Sequence, residues 1–154
     1  MFCYRGVEHE IYLLIAAAGS SSRMGNASAG GMNKVYADLK GAPVLFHSLY
    51  KFDRMSFIDA AVAVIAERDE AAFDSMMKKS SDYFGGARGS KPFGMPVYKA
   101  AGGAVRSESV LKGLFKILSL VRNPGNAAVV IHDGARPNFS EASFAFLVIY
   151  NGLK

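Results

Sequence analysis

The chain of 154 residues holds a single cysteine, Cys3, which excludes an intrachain disulfide and a thiolate zinc cluster. Cys3 itself reads as a tail residue or a small hydrophobe, and no pair among the three histidines has zinc spacing. No apolar run approaches the roughly 18 residues of a membrane span. The opening "MFCYRGVEHE" is broken by acidic residues and carries no cleavage-like site, so it is not read as a signal peptide, and the cytoplasm is the expected location. Basic residues are scattered: 18 against 13 acidic ones give a formal charge of +5, which suits an anionic ligand but not a dense nucleic-acid face. The one short cluster, "MMKKS", reads as a solvated helix end. Also missing are internal repeats, the Walker pattern G-x-x-x-x-G-K-[ST] and the dinucleotide fingerprint G-x-G-x-x-G.

What is present is a packed α/β pattern. Apolar residues make up 51% and charged residues 20%, ordinary for one globular domain. "IYLLIAAA", about Ile11 to Ala18, "AAVAVIA", Ala60 to Ala66, and "NAAVVIH" are continuous apolar runs of the kind buried parallel strands show. "PVYKA" reads as a short edge strand. Between these runs lie helical patterns. One covers about Val44 to Phe52, with Leu45, Leu49 and Phe52 on one face, and a second starts near Asp69 and ends in lysines. The third, "SESVLKGLFKILSLV", places Val110, Leu114, Ile117, Leu118 and Val121 at helical spacing with Ser107 as cap. From Glu141 a further helix, or a helix giving way to strand, is expected, and residues 80 to 95 read as loop. The alternation predicts a doubly wound, mostly parallel sheet with helices on both faces, whose ligands sit beyond the carboxyl ends of the strands.

Three loops fall at that edge. The first, "AAAGSSSRMGNASAGGMNK", is small, flexible and rich in hydroxyls. Gly19 and Gly25 allow backbone angles at which successive N–H groups point at phosphate oxygens, with Arg23 as a forked donor and Lys34 as a mobile charge. The same composition also suits a plain surface loop. The second, "HDGARP", sets Asp133 at the end of a strand, where a carboxylate can take Mg2+ through oxygen while phosphates complete the octahedron. His132 there reads as a brace and Arg136 as a partner of Asp133 or a holder of the loop. In the third, "AGGAVRSESV", Gly102 and Gly103 bring backbone near a ligand and Ser109 offers a hydroxyl to a ribose, although the stretch also reads as a simple helix start. Arginine, lysine and a metal carboxylate on one edge are the parts that nucleotidyl transfer needs.

Taken in order, "AAAGSSSRMG…NK", "L-x-G-x-PVLFHSL-x-x-F", "AGG-x-x-R-x-x-SV-x-x-GL" and "HDGARP" resemble the 2-C-methyl-D-erythritol 4-phosphate cytidylyltransferases and the related ribitol- and pentitol-phosphate cytidylyltransferases. The resemblance runs from about Ile11 to Phe144. It implies a Rossmann-like nucleotidyltransferase that joins CTP to a polyol phosphate with release of pyrophosphate. Arg23 and Lys34 match the basic pair at the triphosphate, Asp133 the magnesium ligand, and Ala17, Ala18, Gly19, Ser20, Gly25 and Gly102 the nucleotide loops. Gly103 and Ala104 fall where cytosine is recognised, and Ser109 at the ribose. Lys34 follows a long glycine-containing insert, Ala104 stands where some members carry a polar side chain, and Glu108 replaces a more usual aspartate. The resemblance also implies a homodimer for full-length members, with no nucleic-acid or membrane partner. Family members continue beyond the region matched here with a threonine- and aspartate-containing strand, a "TPQ"-type segment, a late basic residue and a dimerisation arm. The chain is therefore expected to be a single CTP-binding domain, incomplete at its C-terminus and equal to the N-terminal two-thirds of the family. An inactive nucleotide-binding module and a transferase using UTP or GTP are the competing readings.

Overall fold

A computed structural model describes residues 2–4, 6–19, 33–83 and 93–140. Ser20, Arg23 and Gly25 of the first loop, part of the 80–95 loop and the helix expected from Glu141 lie outside the described residues. The chain opens with β1 (Phe2–Tyr4) and β2 (Val7–Ala16), antiparallel partners with Cys3 opposite Glu8 and Tyr4 opposite Val7. Gly6, at φ +76°, makes the tight turn between them. Cys3 is therefore an exposed strand residue rather than a tail. The second strand begins before the expected Ile11, because Val7–His9 are held by cross-strand hydrogen bonds. Their "VEH" sequence shows no apolar run to reveal them.

Past β2, Lys34–Tyr36 form a single 3-10 turn, and β3 (Asp38–Leu39) and β4 (Ala42–Pro43) make a minimal hairpin. Lys40 at φ 54° and Gly41 at φ +88° supply the two left-handed residues that such a two-residue turn requires. Then follow α1 (Val44–Asp53), β5 (Ala60–Ile65), α2 (Glu70–Lys78), β6 (Val97–Ala101), α3 (Arg106–Leu118) and β7 (Ala127–Asp133). Strands β6, β5, β2 and β7 lie side by side in that order, all parallel. The chain thus builds outward from β2 through β5 to β6, then crosses back to place β7 on the other side of β2. That reversal opens a crevice at the carboxyl ends of β2 and β7, as doubly wound sheets do.

Alternation along β2 sorts the core into two layers. Ile11, Leu13 and Ile15 face α1 and α2, where Leu45, Phe46, Leu49, Phe52, Phe73 and Met76 are buried. Tyr12 and Leu14 face α3 with Val62, Val64 and Ile117. Each of these large side chains contributes about 1.5–3 kcal/mol on leaving water, so α1 is fastened chiefly by its four apolar anchors. The α3 layer is thinner. Gly113 lets the helix lie flat on the sheet, since a Cβ there would sit 2.6 Å from Val64 Cγ2 and 2.7 Å from Leu14 Cδ1.

Three expectations need correction. Leu118 does not face the core: it is 58% exposed, because the buried line of α3 runs through Ser109, Gly113 and Ile117, and Leu118 is turned about 100° from the last of these. Ser107 is not the cap. Val105 occupies that position, and the Ala104 N–H is satisfied instead by the Glu108 carboxylate at 2.8 Å. Finally, β7 is not buried on both faces. Among the described residues it pairs only with β2, and Ile131 is 47% exposed.

Candidate nucleotide site

The backbone ladder continues past the end of each strand and brings the predicted loops together. The Ala17 N–H donates to the Val64 carbonyl at 2.8 Å, that of Gly102 to Ile65 at 2.7 Å, and that of Gly134 to Ala16 at 3.0 Å. Ala17 is buried, Ala18 half-buried and Gly19 exposed, so the chain rises out of the sheet over these three residues. Gly102 lies directly against that exit. A Cβ on it would fall 2.3 Å from the Ala18 Cβ, a distance no pair of methyl groups tolerates. The first and third loops therefore touch, and glycine at 102 is what permits it.

Gly103 and Ala104 are held from below by the start of α3. The Ser109 hydroxyl accepts the Gly103 N–H at 2.9 Å and donates to the Val105 carbonyl at 3.1 Å, and Ser109 is only 5% exposed. Glu108 accepts from Ala104 and pairs with Lys112 at 3.1 Å. The Ala104 N–H, and then the Lys112 ammonium, hold its carboxyl below the usual range. Lys112 also donates to the Gly102 carbonyl at 3.1 Å. The serine and the unusual glutamate thus shape the loop that the resemblance associates with the base.

Asp133 ends β7 opposite Ala16. Its Oδ1 accepts the Ala135 N–H at 3.0 Å. Its Oδ2 faces two guanidinium groups, Arg136 Nε at 3.6 Å and Arg106 Nη1 at 3.9 Å. Both distances exceed a hydrogen bond, so that oxygen is balanced electrostatically without being consumed. Arg106 is a residue that sequence reasoning quoted inside a motif but gave no task; its place, three positions after Gly103 at the start of α3, was the signal. His132 stacks edge-on between Phe52 and Phe139, with ring centroids 5.0 and 4.7 Å away, and its Nε2 meets the Arg136 carbonyl at 2.9 Å. Burial lowers its pKa despite that bond, so it braces the loop as a neutral ring. These residues line an open cleft of about 700 Å³.

Lys34 is exposed, on the 3-10 turn that follows the first loop. The buried Asn33 just before it ties the turn to the end of β2, a connection with no sequence signal beyond its adjacency to Lys34. Asp133 is the carboxylate at this edge that could hold magnesium; among the described residues no group of three or more His, Cys, Asp or Glu side chains could hold a metal. One carboxylate with substrate phosphates is a usual magnesium set, and Asp133 Oδ2 fits it. No described helix is long and apolar enough to cross a membrane.

Comparison with known proteins agrees with this geometry. A family model described as 2-C-methyl-D-erythritol 4-phosphate cytidylyltransferase matches residues 11–151. The enzyme of that name from Psychrobacter cryohalolentis is 30% identical over 136 residues, 88% of this chain and 41% of the relative. The one from Dehalococcoides mccartyi is 32% identical over 131 residues, 85% of this chain and 48% of the relative. The chain thus spans about half the length of the curated relatives it matches. The fold is similar to the crystal structure of 4-diphosphocytidyl-2C-methyl-D-erythritol synthase from Anaerococcus prevotii, with TM-score 0.60 and 24% identity over 89% of this chain and 48% of that one. A second synthase structure gives TM-score 0.62 and 24% identity over 90% of this chain and 53% of that one. With the family model matching residues 11–151, nearly the whole of this chain, the chain belongs to the 2-C-methyl-D-erythritol 4-phosphate cytidylyltransferase family.

Proposed function

We propose that this chain carries the CTP side of a cytidylyltransferase that joins CTP to 2-C-methyl-D-erythritol 4-phosphate. In that reaction an oxygen of the acceptor phosphate forms a bond to the α-phosphorus of CTP. The bond from that phosphorus to the bridging oxygen breaks, and pyrophosphate leaves. The observation that supports this reading is the close approach of Gly102 to Ala18, two residues beyond the Ala16 that pairs with Asp133, which brings the three loops to one edge of the sheet. Gly103 and Ala104 would read the base through their backbone, with Ser109 holding that loop and bordering the ribose. Ser20 and Gly25 would contribute to phosphate binding, and Arg23 would share with Lys34 the neutralisation of the triphosphate. Lys34 would neutralise charge that develops at the α-phosphoryl oxygens, where a positioned cation is most effective. Asp133 would hold Mg2+, which supplies charge neutralisation to the triphosphate when bound.

Pentitol phosphates are the alternative acceptors. In a second reading, a single CTP-binding domain binds nucleotide without turning it over. A cytoplasmic setting and homodimers of full-length members accompany the proposal. Calorimetry with CTP and Mg2+, run beside pyrophosphate release with methylerythritol phosphate and with ribitol phosphate, separates these readings. Binding with turnover of the first acceptor supports the proposal, binding alone supports the second reading, and no binding overturns both. Lys34→Ala is expected to lower CTP affinity or turnover by about tenfold or more with little change in melting temperature; an unchanged variant removes Lys34 from this role.

A further inference from the structure

Asn33 is 2% exposed and sits where the chain re-enters the fold after the first loop. Its amide nitrogen donates twice, to the Ala17 carbonyl at 3.1 Å and to Asp69 Oδ2 at 2.8 Å. Its side-chain oxygen accepts the Val35 N–H at 3.4 Å, and its backbone carbonyl accepts that of Tyr36 at 2.9 Å. One side chain therefore fastens three elements: the end of β2, the turn after β5 that carries Asp69, and the 3-10 turn that carries Lys34. Only a primary amide offers two donors on one atom and an acceptor beside them, and glutamine would be one carbon too long for this site. Asp69 is 8% exposed, with Arg68 Nε 3.9 Å away as a flanking charge. The Tyr36 ring, 7% exposed, buries the far end of the turn. Burial, aided by the Asp69 and Asp74 carboxylates, pushes its phenol up and keeps it neutral.

We infer that the buried Asn33–Asp69 pair is a latch that positions Lys34 against the exit of β2, so that its ammonium meets a triphosphate lying over Ala17, Ala18 and Gly19. This rests on the CTP reading of the site. Lys34 follows a stretch of mostly small residues in the sequence, and the apolar side chains buried on its own turn are Val35 and Tyr36. Those two side chains fix the depth of the turn. Its placement along the strand is set by hydrogen bonds to fixed backbone, and a satisfied buried amide is a stiff connection because releasing it would strand polar groups away from water. Asn33 and Asp69 are positioning residues: neither is exposed to a ligand.

The test compares CTP with cytidine. Asn33→Ala and Asp69→Ala are expected to weaken Mg2+-dependent CTP binding about tenfold, the equivalent of one charge-assisted contact. Cytidine affinity should be unchanged, because the base loop is held separately by Ser109 and Glu108. Asp69→Asn, which keeps an acceptor for the Asn33 amide, should stay near the parent chain. Equal losses for CTP and cytidine, or no loss for either, overturn the latch. If Asn33→Ala fails to fold, Asn33→Ser carries the same comparison. If the parent chain binds no CTP, the cytidylyltransferase reading falls, and hydrogen exchange of the Tyr36 amide decides the latch alone: faster exchange in Asn33→Ala supports it, and an unchanged rate overturns it.

Discussion

Two carboxylates mark opposite ends of the seam between β2 and β7. Glu10 pairs with Ala127 at the start of that ladder and Asp133 with Ala16 at its finish. At the amino end the Glu10 carboxylate is fully engaged. Glu10 accepts the Tyr12 hydroxyl at 2.6 Å and the N–H groups of Arg122 and Asn123 at 3.2 Å each, with Arg122 Nε 3.5 Å away. At the carboxyl end Asp133 accepts one N–H and faces two guanidinium groups that stop short of hydrogen bonds. Glu10 is closed off and its carboxylate is spent on holding the crossover from α3 to β7. Asp133 Oδ2 has Arg136 Nε 3.6 Å and Arg106 Nη1 3.9 Å away, so its charge is balanced without a close hydrogen bond from either. The same residue chemistry thus serves stability at one edge and, on the proposed reading, ligand binding at the other, and the difference lies in how completely the carboxylate has been used.

Exchanging charge for neutral amide should separate the two most sharply. Asp133→Asn is expected to lower Mg2+-dependent turnover or CTP affinity by about a hundredfold or more, with the melting temperature almost unchanged. Full Mg2+ dependence in that variant would take Asp133 out of the metal site. Next in size is a change of packing at the same edge. Gly102→Ala forces a methyl into the Ala18 side chain, where neither group can rotate away, and should cost about 3 kcal/mol in denaturant unfolding as well as CTP affinity. A variant as stable as the parent would mean that the two loops part easily.

How much of this was legible beforehand depends on which force did the work. The apolar strands and α1 could be read directly, because burial leaves a periodic trace: Val44–Asp53 matches its expected bounds within a residue, and Leu45, Leu49 and Phe52 are all fully buried. The edge holding Asp133 and the glycine pair was legible too, since alternating strands and helices put the loops after the strands at the carboxyl edge of a parallel sheet. Hydrogen-bonded features left no such trace. The β1 hairpin, the turn at Lys34, the Asn33 latch and the cap made by Glu108 depend on polar groups finding one another across 4 to 36 positions of sequence. Leu118 misled for a related reason: helical spacing marks a face to within one position, and only the approach of Gly113 to Leu14 and Val64 decides which line turns inward.

At the closed end the expected effects are smaller and concern stability alone. Glu10→Ala would strand two N–H groups, while the Tyr12 hydroxyl keeps the Leu120 carbonyl at 3.1 Å, so a loss of about 2 kcal/mol is expected with CTP affinity intact. The pH dependence follows the same geometry. Burial raises the Glu10 pKa, but the Tyr12 hydroxyl, the two N–H groups and the Arg122 charge outweigh it and leave the carboxyl below its ordinary value. Its stabilising contribution is therefore complete above the unfolded-state pKa and fades as pH falls through the lower folded value. Glu10→Gln should flatten that part of an acid unfolding curve.

The smallest predicted effect tests whether α3 is capped from inside its first turn. Ser107 is exposed and contributes no cap bond, so Ser107→Ala should change stability by less than about 0.5 kcal/mol. Glu108→Ala removes the acceptor of the Ala104 N–H and the partner of Lys112. Amide exchange at Ala104 should then quicken while Gly103, still held by Ser109, stays protected. If the serine variant were the one to loosen Ala104, the cap would lie where the sequence pattern put it, and the departure to glutamate at 108 would have no part in shaping the base loop.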